Sequence, residues 1–275
     1  MEQYEKLKET TITMRTYFIS FAWILCGLTA LASCEYLHPD KEIRSEEDLK
    51  GKIVGVEAGG YYDEELAGRR DFRVVRYKST VEMLAALVRG EIDAFKDDEI
   101  AISSSDLSRN SVKIAFRDER TFDIGFAFRK NSQELATAFN EFLSEIRSNG
   151  QYQEIYDRWF NGSDPNAVPM PAIEKVTTGN ALKIGVNVRI APMCFQVDTE
   201  WRGFEIELLE RFAAAQNRPC SITLFTLKEI SKALENGTID LWSGEIFITA
   251  ERQQTYLFSD PYFACHPAWF VRSAK

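Results

Sequence analysis

One arginine in the stretch "SGEIFITAERQQTYLFSDPYF", residues 243–263, stands where its charge needs an explanation. "GEIFIT" alternates like a strand end, and Thr249 then reads as the N-cap of a helix beginning "AERQQ". Arg252 falls near the third helical position, where a capping box would carry Glu or Gln. A cation there opposes the positive end of the helix dipole, at a cost of roughly a few tenths of a kcal/mol. Two readings are open. Arg252 is either a solvated surface charge, near neutral in energy, or an anion site in which its guanidinium fork and the helix-end N–H groups converge on one carboxylate. Metal chemistry has fewer candidates: the histidines are His38 and His266, no Cys-x-x-Cys pair occurs, and no EF-hand spacing appears. No metal or other cofactor is expected.

The elements that must position Arg252 follow from periodicity. "KIVGVE" reads as a strand running into the turn and helix "AGGYYDEELAG"; "RVVRY" is a strand before the helix "STVEMLAALVRGE", whose Val81, Leu84, Ala85 and Val88 share one face. "IDAF" follows, then a helix after "KDDE". "FDIGFAFRK" reads as one long strand, leading to a helix capped by Ser132 and stopped at Gly150, then to "QYQEIYDRWFNG". "SDPNAVPMPAIEKVTTGN", residues 163–180, has three prolines and no periodicity, and reads as a linker. Beyond it come "LKIGVNV", the helix "GFEIELLERFAAAQN", "SITLF", the helix "LKEISKALENG" and "IDLWSGE". This strand–helix rhythm predicts an α/β fold with parallel-rich sheets flanked by helices. "TVEMLAALVRGEIDAF" and "LKEISKALENGTIDLW" both place a helix before G-x-I-D, so the chain holds two similar units with a cleft between them.

Composition bounds the function. The 275 residues are 45% hydrophobic and 27% charged, a folded, water-facing protein, and the net charge of −9 argues against nucleic acid as a partner. "MRTYFISFAWILCGLTALASC" has a basic Arg15, an apolar core from Phe18 to Ala30, and small residues before Cys34, the layout of an export signal. "LASC" resembles the lipobox of bacterial lipoproteins, which implies lipidation of Cys34; the alternative is an uncleaved membrane anchor. "MEQYEKLKETTIT" fits no signal n-region, and translation from Met14 would explain it. Cys194, Cys220 and Cys265 remain, an odd count whose pairing sequence does not fix.

Four segments together resemble the bacterial extracellular solute-binding proteins of the polar-amino-acid family (family 3): "LKGKIVGVEAGG", "LVRGEIDAFKDDE", "GFAFRKNSQELATAFNEFLSEIRSNGQYQEIYDRWFNG" and "IDLWSGEIFITAERQQTYLFSDPYF". The resemblance implies a two-lobed periplasmic-binding-protein fold of type II. The segment order differs: the family's closing "RWF" helix lies mid-chain here, and its arginine segment near the end. This looks like a circular permutant, with 163–180 joining the old termini; a fragment of a tandem protein is the rival. The implied organisation is a signal region at 1–33, the second lobe at 38–121, the crossover strand and C-terminal-type helices of the first lobe at 122–162, the linker at 163–180, and the remainder of the first lobe at 181–275. Permutation would bring "PAWFVRSAK" beside the segment beginning "EEDLKGKIVGV" and leave one crossover between lobes, near Arg120 to Phe122.

By the same resemblance Arg252 takes the ligand's α-carboxylate and Asp98 its α-ammonium, with a solvated acid or helix cap as the alternative for Asp98. Glu57, Gly59, Gly60, Tyr61 and Asp97 from the second lobe, and Asn187, Leu227, Ser243, Gly244, Glu245 and Phe247 from the first, complete the expected ligand-binding set. Several depart from the family pattern. Asn187 stands where an acid is common, Leu227 replaces a stacking aromatic, Phe247 replaces a hydroxyl, Glu245 replaces a small residue, and Gly60 stands where threonine is frequent. Tyr62 and Trp242 are further candidates to reshape the pocket. With Glu57, Asp97, Asp98, Glu99 and Glu245 against one placed cation, the cleft should favour a ligand with a carboxylate and at least one amine. The implied function is a membrane-tethered, extracytoplasmic binding protein that captures an amino acid or amine for an ABC-type permease or a sensor. The alternatives are a dehydratase-like enzyme on the same fold and a degenerate scaffold that binds a partner protein.

Overall fold

Apolar runs of about five residues become strands here, and the amphipathic runs between them become covering helices. The computed structural model describes residues 42–102, 111–161 and 164–273. The proposed signal region and Cys34 lie outside the described residues. In the first sheet β1 (Ile53–Glu57), β2 (Arg73–Tyr77) and β3 (Ala94–Asp98) are parallel, connected by α1 (Tyr61–Leu66) and α2 (Thr80–Arg89). β4 (Val112–Arg117) and β14 (Pro267–Arg272) complete it in the order β2-β1-β3-β14-β4, with β14 antiparallel to both neighbours.

The second sheet has the order β10-β7-β11-β6-β12. β7 (Leu182–Val186), β10 (Cys220–Leu224) and β11 (Leu241–Ser243) are parallel; β6 (Ala127–Arg129) is antiparallel to β11 and to β12 (Tyr256–Phe258). α3 (Gln133–Ser148), α4 (Gln151–Phe160), α5 (Phe204–Ala215), α6 (Leu227–Glu235) and the single turn α7 (Arg252–Thr255) accompany it. β8 (Phe195–Val197) and β9 (Glu200–Arg202) form a hairpin. Between the sheets run β5 (Phe122–Ile124) and β13 (Phe263–Cys265), paired antiparallel as two connectors.

The paired connectors correct the expectation of one crossover. "PAWFVR" is buried along all but its last residue, with Trp269 and Phe270 at 1% and 0% exposure, as an inner strand must be. It therefore crosses back and joins the first sheet one strand away from β1, and 267–272 part from the rest of 181–275. The expected long strand "FDIGFAFRK" is also two strands, because β5 pairs with β13 and β6 with β11 and β12. On α2 the buried face is Thr80, Met83, Ala86 and Leu87, while Val81 and Val88 are 68% and 43% exposed. Both faces fit a helical period, and packing on Phe95 and Phe270 selects the second. Residues 99–102 form turns and bends, and the rest of the stretch in which a helix is expected after "KDDE" lies outside the described residues.

The internal repeat extends to single contacts. Asp93 accepts the Ile53 N–H at 2.7 Å and Asp240 accepts the Lys183 N–H at 3.0 Å, each pinning the loop after the helix to the start of the first parallel strand. The isoleucine before each aspartate lies over a glycine in that strand. A Cβ on Gly55 would sit 2.8 Å from Ile92 Cδ1, and one on Gly185 would sit 2.4 Å from Ile239 Cδ1. Only glycine leaves room for that isoleucine to settle so close. In strand order β2, β1, β3, β14, β4 correspond to β10, β7, β11, β6, β12.

Candidate functional site

Both sheets turn the carboxyl ends of their parallel strands toward one cavity of about 80 Å³, the place where open α/β sheets bind ligands. β1 delivers Glu57 and β3 delivers Asp97 and Asp98; Gly60 and Tyr61 enter at the start of α1. From the other sheet, β7 runs on into Asn187 and β11 into Gly244 and Glu245, with Leu227, Phe247 and Arg252 beside them. Of the expected set, Gly59 and Ser243 are not in the lining. Gly59 lies on the exposed turn, donating its N–H to Asp63. Ser243 is fully buried and donates its hydroxyl to Glu205 on α5, away from the cavity.

Arg252 opens a single helical turn. The residue before it is Glu251 rather than the expected Thr249, which still reaches the turn, its Oγ1 accepting the Arg252 N–H at 3.2 Å and its carbonyl accepting the Gln253 N–H at 2.9 Å. One turn carries little macrodipole, so the argument for an anion rests on the guanidinium rather than the helix end. That guanidinium is half-buried and donates to the Phe247 carbonyl at 3.4 Å. Among the described residues it forms no ion pair. Burial lowers its pKa, and the charges of Glu64 and Asp98 work in the opposite direction.

Acids dominate the rest. Asp98 is 6% exposed and accepts the Tyr62 hydroxyl at 2.6 Å. Burial and then the charge of Asp97 hold its carboxyl well above the usual range. Burial raises Asp97 to about 6, against hydrogen bonds from Thr80 Oγ1 at 2.6 Å and the Asp98 N–H at 2.9 Å. Glu57 is pushed up to about 7 by burial and by Asp97, and Glu245 goes well above its ordinary value through burial and then Asp98. Clustered carboxyls out of water resist losing their protons, and a cation delivered among them relieves both causes.

A family model described as bacterial extracellular solute-binding proteins, family 3, matches residues 48–162 and 182–275. The chain belongs to that family. The L-arginine-binding protein of Pseudomonas aeruginosa is 34% identical to it over 125 residues, 42% of this chain and 48% of that protein. The histidine-binding periplasmic protein of Escherichia coli K12 is 30% identical over 126 residues, again 42% and 48%. The chain thus aligns with about half the length of the curated relatives it matches. Among solved structures, the arginine-bound form of a truncated ArgBP from T. maritima aligns at a TM-score of 0.42 and 11% identity, over 80% of this chain and 87% of that one.

Within this family 3 protein several side chains have surroundings that sequence reasoning did not foresee. Lys96 is 1% exposed and lines the cavity, so Arg252 is not its sole cation. Its charge is already met by Glu65 at 2.8 Å and Asp118 at 3.5 Å. The signal was present: Lys96 and Asp98 are two apart on a strand and so share a face. Asn187 Oδ1 accepts the Trp242 indole N–H at 2.6 Å. Phe247 is 3% exposed and stacks on Phe122 of the connector at 4.6 Å, with Tyr61 and Tyr62 of α1 edge-on at 5.3 and 6.0 Å. The residue in place of a hydroxyl therefore joins an aromatic cluster between the two sheets. Thr80, Val188, Ile190 and Ile246 complete the lining.

Proposed function

We propose that this solute-binding protein captures a small zwitterion, an amino acid or close analogue, between its two sheets and delivers it to an ABC-type permease or a sensor. The observation that carries the reading is Arg252: a half-buried guanidinium, without an ion pair among the described residues, in the same cavity as Asp98 from the opposite sheet. A ligand carboxylate on Arg252 and its ammonium on Asp98 would join the two halves. Such a ligand stabilises the closed arrangement by its differential contacts. The arginine- and histidine-binding relatives support this class of ligand. We place the protein outside the cytoplasm, tethered by a lipid on Cys34, on the strength of the signal-like segment ending in "LASC". The mid-chain position of "RWF" supports a circular permutant.

Calorimetric titration of the wild type and Arg252→Ala with a panel of amino acids tests the site. Loss of a buried charge partner costs about 3–5 kcal/mol, so the variant should bind its best ligand at least a hundredfold more weakly. Affinity unchanged by Arg252→Ala, or a wild type that binds no amino acid, would refute the reading.

A further inference from the structure

The loop after β11 holds a strained acid in a fixed pose. Glu245 adopts a φ of 56°, a conformation non-glycine residues keep only when their surroundings enforce it. Here Glu205 enforces it. That fully buried carboxylate accepts the Glu245 N–H at 3.0 Å and also the hydroxyls of Ser243 and Tyr262. The preceding Gly244 has a φ of 127°, and a Cβ there would lie 2.6 Å from Asn187 Oδ1. The loop is thus pinned from behind while the Glu245 side chain lines the cavity, where its Oε1 is buried without a hydrogen-bond partner.

We propose that Glu245 is the specificity-determining residue of the cavity, the acceptor for a second cationic group on a ligand whose carboxylate Arg252 holds. The inference rests on the proposed function and adds to it the class of ligand. The surroundings of Glu245 are acidic from every side: Asp97 and Asp98 on β3, Glu57 on β1, and Glu205 behind it on α5. The nearby thiols of Cys194 and Cys265 and the Tyr262 hydroxyl have their pKa values raised and stay neutral. The two cations are otherwise committed: Lys96 to Glu65 and Asp118, Arg252 to the ligand's carboxylate. Asp98 suffices for one ammonium. An aliphatic ligand tail would leave Glu245 Oε1 buried and unpaired, whereas a terminal ammonium or guanidinium would satisfy it.

The protonation balance follows from the same geometry. In the empty cavity, burial and the neighbouring carboxyls favour the neutral, protonated Glu245. When the ligand's second cation arrives, the carboxyl gives its proton to the buffer and the resulting carboxylate pairs with that cation. One proton should therefore leave per ligand bound at this position.

Lysine and norleucine, which share a carbon skeleton but differ in the terminal ammonium, separate the possibilities. Both are titrated calorimetrically at pH 7, in two buffers of different ionisation heat, into the full chain and Glu245→Gln. The wild type should bind lysine about ten- to a hundredfold more tightly than norleucine and release about one proton more for lysine, since the α-ammonium beside Asp98 acts alike in both. Glu245→Gln should keep norleucine binding, which also reports a folded cavity, and lose both the preference and the extra proton released for lysine. Equal affinities in the wild type, or a preference that survives in Glu245→Gln, would overturn the assignment. If norleucine still binds in an Arg252-dependent way, the proposed function stands without it. Failure of both ligands to bind would overturn the two together.

Discussion

Replacing Glu57 by glutamine should stabilise the ligand-free protein, and only above mildly acidic pH. Glu57 ends β1 in the cavity, where burial and Asp97 lift its pKa from 4.5 to about 7. Taking the ordinary value for the unfolded chain, the folded state binds this proton more tightly. Below pH 4.5 both states are protonated and Glu57 has no effect on stability. Between 4.5 and 7 the unfolded chain gives up its proton first, so stability falls as pH rises. Above 7 the folded protein carries the full cost of a buried carboxylate, about 3 kcal/mol at roughly 1.4 kcal/mol per unit. Glutamine preserves the shape and removes the ionisation. In thermal unfolding from pH 4 to pH 8, Glu57→Gln should match the wild type at the acid end and melt about 6–12 °C higher at pH 8. Relief of Glu245, whose carboxyl also feels Glu57, would widen the gap. A difference no larger at pH 8 than at pH 4 would refute the argument. A gain in stability on removing a site residue is what a cavity held ready for a cation predicts.

Glu207 of α5 is 0% exposed and accepts the Trp159 indole N–H at 2.8 Å and N–H groups of Arg158 and Arg211, so Glu207→Ala should destabilise the fold by about 3 kcal/mol. The two arginines reach water, but Trp159 at 1% exposure does not. A urea-unfolding loss under about 1 kcal/mol would count against that role. For the anchor, cell fractionation should find the wild type with membranes and Cys34→Ala either released or held as precursor; wild type wholly soluble at full precursor mass would remove the proposal.

The alternation of apolar strands and amphipathic helices made the α/β class legible, and the repeated G-x-I-D marked the two units whose strand ends meet at the cavity. What sequence did not supply was which sheet an element joins. "PAWFVR" is apolar on both faces, which specifies an inner strand but names no neighbours. α2 carries two plausible apolar stripes, and tertiary packing chose between them. Arg252, Asp98 and the acids of the cavity could be nominated through resemblance. Ser243 could not be assigned correctly, because its hydroxyl turns to Glu205, a buried acid inside a helix that reads as amphipathic. Lys96 was passed over because its partners, Glu65 and Asp118, lie 31 and 22 residues away in sequence, 96 − 65 and 118 − 96.

The two halves of the chain have exchanged one strand each. β14, from the half that builds the second sheet, lies between β3 and β4; β6, from the half that builds the first, lies between β11 and β12. β4 and β12 meet their sheets only through these guests. Neither half can satisfy its backbone hydrogen bonds alone, so unfolding either sheet withdraws an inner strand from the other and the pair must melt as one cooperative unit. The chain connection through 163–180 is then not what holds the two sheets together. Once that stretch is cut, the two pieces should stay interlocked by their donated strands, with β5 and β13 still paired beside a single cavity.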